Sequence, residues 1–234
     1  MSRIVLVAPG ILPIPAIKGG AVETGIEQLI NENELHDDNI FEVYSCWDKE
    51  AEEKAKSIKK SNFKFYKFGI LDKTEMIIIK SVNKLFSLLN IKLGFNIYPR
   101  FTKFVCKNIK DIKADAVLLK NSVRLVNPIK KVTDIPIVLQ LHNDFLNSNT
   151  PNGDTIASNC YRIVANSQYI KNRICTIKSI SPKKVFINMN CLDKDSFQRP
   201  KENEKRKIID KFNIDENKKN IIFVGRIAKV KGVK

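Results

Sequence analysis

The 234-residue chain carries 41 Lys+Arg against 25 Asp+Glu, a formal charge of +16, and is 43% hydrophobic. That is ordinary apolar content for a globular core, and the length suits one large domain, or one domain and a piece of another. No stretch approaches about 18 uninterrupted apolar residues, so no membrane-spanning helix is expected. The opening SRIVLVAPG is broken by Pro9 too early for a secretory signal. Cys46, Cys106, Cys160, Cys175 and Cys191 are dispersed, with no Cys-x-x-Cys pair and no Cys/His cluster at metal-ligand spacing. They read as reduced thiols of a cytoplasmic protein. The basic surplus favours an anionic partner (nucleic acid, an anionic membrane face or a phosphorylated small molecule) or reflects a composition rich in Lys, Ile and Asn throughout.

In chain order, RIVLVAP (3–9) reads as a strand buried on both faces, and 21–34 as a helix with Val22, Ile26, Leu29 and Ile30 on one side. FEVYSCW (41–47) is a second strand, 48–60 a solvated helix or loop, and FKFYKF (63–68) a third strand. Residues 74–90 form an amphipathic helix with Ile78, Val82, Leu85 and Leu89 on one face, and 99–112 a helix with Pro99 in its first turn. Strands follow at 115–120, 136–142, 162–167 and 183–189, with helices near 124–132 and 168–177 between them. Such alternation predicts an α/β fold: a mainly parallel, Rossmann-like sheet with helices on both faces and ligands at the carboxyl ends of its strands. The charged stretch 199–220 reads as a linker containing one short helical pattern, after which NIIFVG (220–225) is a new strand.

Three features at expected strand ends could carry chemistry. Gly19-Gly20 closes a proline-stiffened loop and precedes the helix at residue 21. Two missing side chains would let a diphosphate or sugar approach the helix's free N–H groups. Equally, the pair is what a tight turn with positive φ needs. Glu23 and Thr24, in the first turn, are placed to reach a bound hydroxyl. His142 ends the strand PIVLQLH and is followed by Asn143 and Asp144. It either donates to a substrate hydroxyl and stabilises developing charge, or makes a structural hydrogen bond in the turn. Arg226 and Lys231 follow the last strand, where a rigid fork and a point charge could neutralise a diphosphate; in isolation they are two more cations in a basic chain. Neither G-x-G-x-x-G nor a Walker A pattern is present.

The order of KGGAVE (18–23), HND (142–144), IVANSQYIKNRI (163–174), KVFINMNCLDKDSF (184–197) and IIFVGRIAKVKG (221–232) resembles the retaining, nucleotide-sugar-dependent glycosyltransferases of family four. These have the GT-B architecture, two Rossmann-like domains across a cleft, the first mostly for the acceptor and the second for the donor. The resemblance covers nearly the whole chain and is most specific at FVGRIAKVKG. It implies Gly19 and Gly20 close to the donor diphosphate or reacting sugar, and His142 on the sugar near the reacting carbon. Arg226 and Lys231 would bind the diphosphate as it leaves. No metal or other cofactor is implied; the nucleotide sugar is a substrate.

It further implies an N-terminal acceptor domain over 1–198, a linker over 199–217, and the first strand and turn of a donor-binding domain over 218–234. The family's Pro-Asn-Gly-Val-Asp run is replaced here by Met189-Asn190-Cys191-Leu192-Asp193, which costs the glycine's access to positive φ. The family's paired glutamates on the donor domain would come after Lys231, so negligible transferase activity is expected of these residues alone. Residues 218–234 are expected to pack on the first domain or to be loosely ordered.

The expected partners are a nucleotide-sugar donor and a lipid-linked or saccharide acceptor, in cell-surface polysaccharide or glycolipid assembly. Lysines and arginines interleaved with Ile, Leu and Phe over 73–113 suggest a peripheral position on the anionic inner face of the cell membrane. Nucleic acid is not expected, because no helix-turn-helix, RNA-binding or zinc signature occurs. The alternative is a non-catalytic truncated relative that binds an acceptor or a partner chain. An epimerase-like Rossmann enzyme is disfavoured by the absent glycine fingerprint and Tyr-x-x-x-Lys pair.

Overall fold

The structure is a computed structural model that describes residues 1–8, 10, 12–36, 38–89, 91, 94–191 and 198–224. The apolar runs form seven strands: β1 (Ser2–Val7), β2 (Asn39–Cys46), β3 (Ser61–Tyr66), β4 (Ala116–Lys120), β5 (Ile137–Leu141), β6 (Arg162–Ala165) and β7 (Val185–Ile187). All neighbours run parallel, in the order β3-β2-β1-β4-β5-β6-β7. Parallel neighbours need a crossover, and the helices supply it: α1 (Ala21–His36), α2 (Lys49–Ala55), α3 (Ile70–Leu88), α4 (Pro99–Ile109), α5 (Val126–Lys130), α6 (Gly153–Asn159) and α7 (Gln168–Ile174). The expected Rossmann-like sheet with helices on both faces is the fold observed.

Side-chain alternation divides the core into two layers. Val5 and Val7 of β1 face the larger layer, where Val117, Leu119, Leu139 and Ile163 meet Phe101 and Val105 of α4, Ile129 of α5, Ile156 of α6 and Ile174 of α7. Leu6 and Ala8 face the opposite layer, with Ile26 and Ile30 of α1 and Phe41 and Val43 of β2. The division follows from right-handed crossovers. Helices that lead leftward from β1 lie on one face, and those that lead rightward from β4 lie on the other.

Local chemistry sets the element boundaries. Asp48 caps α2 by accepting from the N–H groups of Glu50 and Ala51, so the first half of the polar 48–60 stretch is a helix and the rest a turn into β3. Asn33, on the buried side of α1, donates to the carbonyl of Asn39 at 2.7 Å and accepts from its N–H at 2.9 Å, closing the turn into β2. Leu29, expected inward, is 37% exposed, and Glu23 and Asn33 are buried in its stead. The helix expected over 124–132 is split into a 3-10 turn (Val123–Leu125) and α5, and α6 was not anticipated. Its seven residues begin at Gly153, and Pro151-Asn152-Gly153 reads as a turn.

The chain divides into two compact units, Met1–Asn190 and Cys191–Lys234. In the second, α8 (Glu202–Phe212) occupies the expected linker; Glu204 closes its first turn on the Lys201 N–H at 2.8 Å, and Asn213 ends it in the left-handed conformation. The strand expected at 220–225 is not formed over its described part: residues 221–224 have no regular structure, and Ile221, Ile222 and Val224 are at least 85% exposed. A single strand has no ladder partner for its backbone groups and no face to bury.

An aromatic group braces the region between β3 and α4. The ring of Phe101, fully buried, stands 5.9 Å from that of Tyr66, 6.0 Å from Phe68 and 6.4 Å from Phe104. Phe101→Ala is therefore expected to lower unfolding stability by about 3–5 kcal/mol, read from urea denaturation of the wild type and the variant.

Candidate functional site

The strand order reverses between β1 and β4: chain segments after β1 add strands on one side, and those after β4 add them on the other. The loops leaving the two carboxyl ends diverge there, and such a reversal is the usual ligand position in open α/β sheets. Gly19 and Gly20 lie on the β1 loop, and His142 follows β5 on the far side of β4. The described candidate residues therefore share one edge of the sheet, and β1 and β5 are two strand spacings, about 10 Å, apart.

The β1 loop is fastened at several points. The N–H of Ile14 donates to Ser45 Oγ at 2.8 Å, that of Ala16 to Glu27 Oε2 at 2.9 Å, and that of Gly19 to the Ala16 carbonyl at 3.1 Å. Lys18 pairs with Asp48 at 2.5 Å, and Glu27 also pairs with Lys54. These contacts hold the approach to α1 in place. Gly19 and Gly20 have φ of 70° and 100°, so the turn requirement for glycine is met at both. They differ in surroundings. A Cβ at Gly19 would meet nothing within 4 Å, whereas one at Gly20 would collide with the Glu23 carboxylate and with Leu12. Gly19 thus presents bare backbone to open space, which is what close approach of a ligand requires.

Glu23 is placed differently from a residue that reaches outward from the first turn. It is 5% exposed and folded against Gly20, and burial raises its pKa. Its desolvated carboxylate has no cation beside it among the described residues.

His142 stands at the end of β5 as expected. Its N–H donates to Asn121 Oδ1 at 2.8 Å, and its carbonyl accepts from Asn166 Nδ2 at 3.4 Å. Asn121 has φ of 51°, a conformation asparagine tolerates, and it turns its side chain back toward β5. The structural part of the turn is thus carried by main-chain atoms. The imidazole makes no hydrogen bond to the described residues. Burial first, and then the charge of Lys120, lower its pKa. At neutral pH the ring is uncharged and offers one donor and one acceptor. Asp144 is otherwise engaged: it accepts from Arg173 Nε at 2.8 Å and from Asn147 Nδ2 at 2.8 Å.

Lys120 was not singled out from the sequence. It ends β4 in a buried position, donates to Gln140 Oε1 on the facing strand, and has its pKa pushed down to about 8 by burial. The available signal was a lysine directly continuing the apolar run AVLL, where a strand otherwise buried on both faces should end in something apolar. Arg226 and Lys231 lie outside the described residues, as does Leu192–Phe197 of the departed Pro-Asn-Gly-Val-Asp region. Among the described residues no group of His, Cys, Asp and Glu could hold a metal ion.

No protein-family model matches the chain, and no curated protein matches it in sequence. Solved structures do match. The glycosyltransferase from Rickettsia africae superposes with a TM-score of 0.58 at 15% identity, over 92% of this chain and 50% of that one. UDP-N-acetylglucosamine 2-epimerase from Rickettsia bellii gives 0.49 at 12% identity over 91% of this chain and 48% of that one. MurG from Acinetobacter baumannii gives 0.46 at 10% identity over 84% and 47%. The first of these shows the fold: the Rossmann-like sheet is that of a GT-B N-terminal half. The chain spans about half the length of these structures.

The buried carboxyl of Glu23 gives a pH-dependent prediction. Because its folded pKa is raised, the folded state holds its proton over a range in which the unfolded chain has released it, so stability falls as pH rises through that range. Glu23→Gln should leave stability unchanged below about pH 4 and raise it at pH 7. Thermal melts of both proteins at the two pH values read this directly, and a gain already present at low pH would contradict the assignment.

Proposed function

We propose that the chain is the acceptor-side half of a retaining glycosyltransferase that moves a sugar from a nucleotide-sugar donor to an acceptor hydroxyl, in cell-surface polysaccharide or glycolipid assembly. The observation that carries the reading is the β1/β4 reversal of strand order, where the bare backbone of Gly19 stands on one side and a neutral imidazole of His142, without a hydrogen bond among the described residues, on the other. It is supported by the likeness in fold to the Rickettsia africae glycosyltransferase. In this reading the N-terminus of α1 and the adjoining backbone receive the donor's diphosphate or reacting sugar. His142 holds a sugar hydroxyl near the reacting carbon. Arg226 and Lys231 take up charge on the departing diphosphate, which is the work a metal does elsewhere. An acceptor saccharide has a place beside Gly10, in a cleft of about 200 Å³ lined by Phe68, Asp72, Lys73, Met76 and Tyr98.

The lipid-linked form of the acceptor is favoured by α3. None of its 19 residues is buried, and Ile70, Leu71, Ile77, Ile78, Leu85 and Leu88 are each about 60–80% exposed. At 100° per residue these six fall within about one third of the helix circumference, with Lys73, Lys80 and Lys84 along one flank. That arrangement suits a helix lying in an anionic membrane surface, with each nearby lysine contributing about 1 kcal/mol.

Two measurements test these readings. In a transfer assay over a panel of nucleotide sugars, the chain supplemented with a donor domain is expected to transfer sugar, and the chain alone is not. His142→Ala should then lower the rate by about 10²-fold. Absence of transfer with every donor, together with saccharide binding by calorimetry, would replace the reading by that of a non-catalytic acceptor binder. In liposome flotation the chain should float with anionic vesicles and not with neutral ones, and Ile78→Glu with Leu85→Glu should abolish flotation without loss of folding. Equal flotation with both vesicle types, or with neither, removes the membrane assignment.

A further inference from the structure

Strand register gathers four polar side chains on one face of the sheet. Lys120 pairs with Gln140, and Gln140 with Val164. The ladder continues past both strand ends, through the Asn121 N–H to the Gln140 carbonyl at 2.8 Å and the Asn166 N–H to the Leu141 carbonyl at 3.1 Å. Alternation then puts Lys120, Gln140, His142 and Asn166 on the same side. The opposite face here is sealed, with Leu119, Leu139 and Ile163 fully buried, whereas Leu118, Val138 and Val164 on the polar side chains' own face are only partly covered.

Three of the four are incompletely satisfied among the described residues. Lys120 is 8% exposed, and among the described residues its ammonium has one hydrogen-bond partner, the neutral Gln140, and no carboxylate to offset its charge. Buried lysines are almost always paired, and a charge buried without a counter-ion is costly. Asn166 Oδ1 is buried and accepts no hydrogen bond from the described residues. It lies two strand spacings from Lys120, about 10 Å, with the free imidazole of His142 on the strand between. An ammonium lacking an anion at one end, and an amide oxygen lacking a donor at the other, describe a ligand that is charged at one end and hydroxylated along its length.

We propose that this row of side chains binds a sugar bearing an oxyanion, a phosphate ester or a carboxylate, with Lys120 as its counter-charge and His142 and Asn166 on its hydroxyls. Gln140 is a positioning residue that holds the ammonium in the row. That the sugar is a substrate of transfer rests on the glycosyltransferase reading above; its binding does not.

Calorimetry of the 234-residue chain with glucose 6-phosphate, glucuronate and glucose tests this. At least one charged sugar should bind about tenfold or more tightly than glucose, and the tighter of the two identifies the oxyanion. Lys120→Met should remove that preference. Gln140→Glu sets a carboxylate beside the ammonium with little change of shape, so it should also remove the preference while keeping the fold, whatever becomes of Lys120→Met. The site is overturned if none of the three sugars binds the wild type, if all three bind equally, or if the preference for charge survives Gln140→Glu. Binding of charged sugars without transfer in any assay would sink the proposed activity and leave this site standing. Transfer to neutral acceptors with no preference for charge would do the reverse.

Discussion

The reversal of strand order between β1 and β4 is the constraint on which the rest of the molecule depends. Every crossover is parallel and therefore right-handed, so a chain that turns left after β1 must put α1 on one face, and a chain that turns right after β4 must put α5, α6 and α7 on the other. The loops after β1 and β4 therefore leave the two carboxyl ends in opposite directions and part between them. The β1 loop, fastened to β2 by Ser45 and to α2 by Lys54 through Glu27, is held to one side of this opening. Asn121 and His142 stand on the other, joined by a single hydrogen bond.

Some buried polar groups are satisfied at once, as where Asn33 bonds both the N–H and the carbonyl of Asn39. Others have no hydrogen-bond partner among the described residues: Ser61 Oγ at the start of β3, Asn83 Oδ1 on α3 and Asn166 Oδ1 after β6. Near the reversal of strand order, and among the described residues, Glu23 is desolvated without a cation, Lys120 without an anion, and Asn166 Oδ1 without a donor. Each is a cost to the folded chain on its own. Of these, Lys120 and Asn166 stand at the carboxyl end of the sheet, at the ends of the strands either side of His142. Burial gives the reason for His142 being neutral, since the burial that exposes it to the Lys120 field also removes the water that would stabilise a second positive charge.

The helix α3 shows the limit of periodicity as a guide to burial. Its stripe of Ile78, Val82, Leu85 and Leu89 has the spacing of a core face, yet Ile78, Leu85 and Leu89 are about 60% exposed, and Val82, like Met76, Ile79 and Phe86 elsewhere on the helix, is only partly covered. A helix apolar on two sides cannot bury both against one sheet. Periodicity alone therefore marks an apolar face without fixing whether the fold covers it.

Much of the architecture was already determined by the sequence. Short apolar runs separated by amphipathic stretches admit only strands and crossover helices, and that alternation dictates a parallel sheet with ligands at its carboxyl end. Gly19-Gly20 and His142 could be placed there because each directly follows the strand or precedes the helix that positions it. What tertiary structure alone decided are the consequences of register and depth. A glutamate in a first turn reads as an outward side chain, and only the packing of α1 under the β1 loop makes Glu23 a buried one. A lysine after AVLL reads as the end of a strand, and only the pairing of β4 with β5 sets it against Gln140 beside His142. Burial and partnership are properties of neighbours distant in the chain, and a local pattern carries no record of which strands will lie side by side.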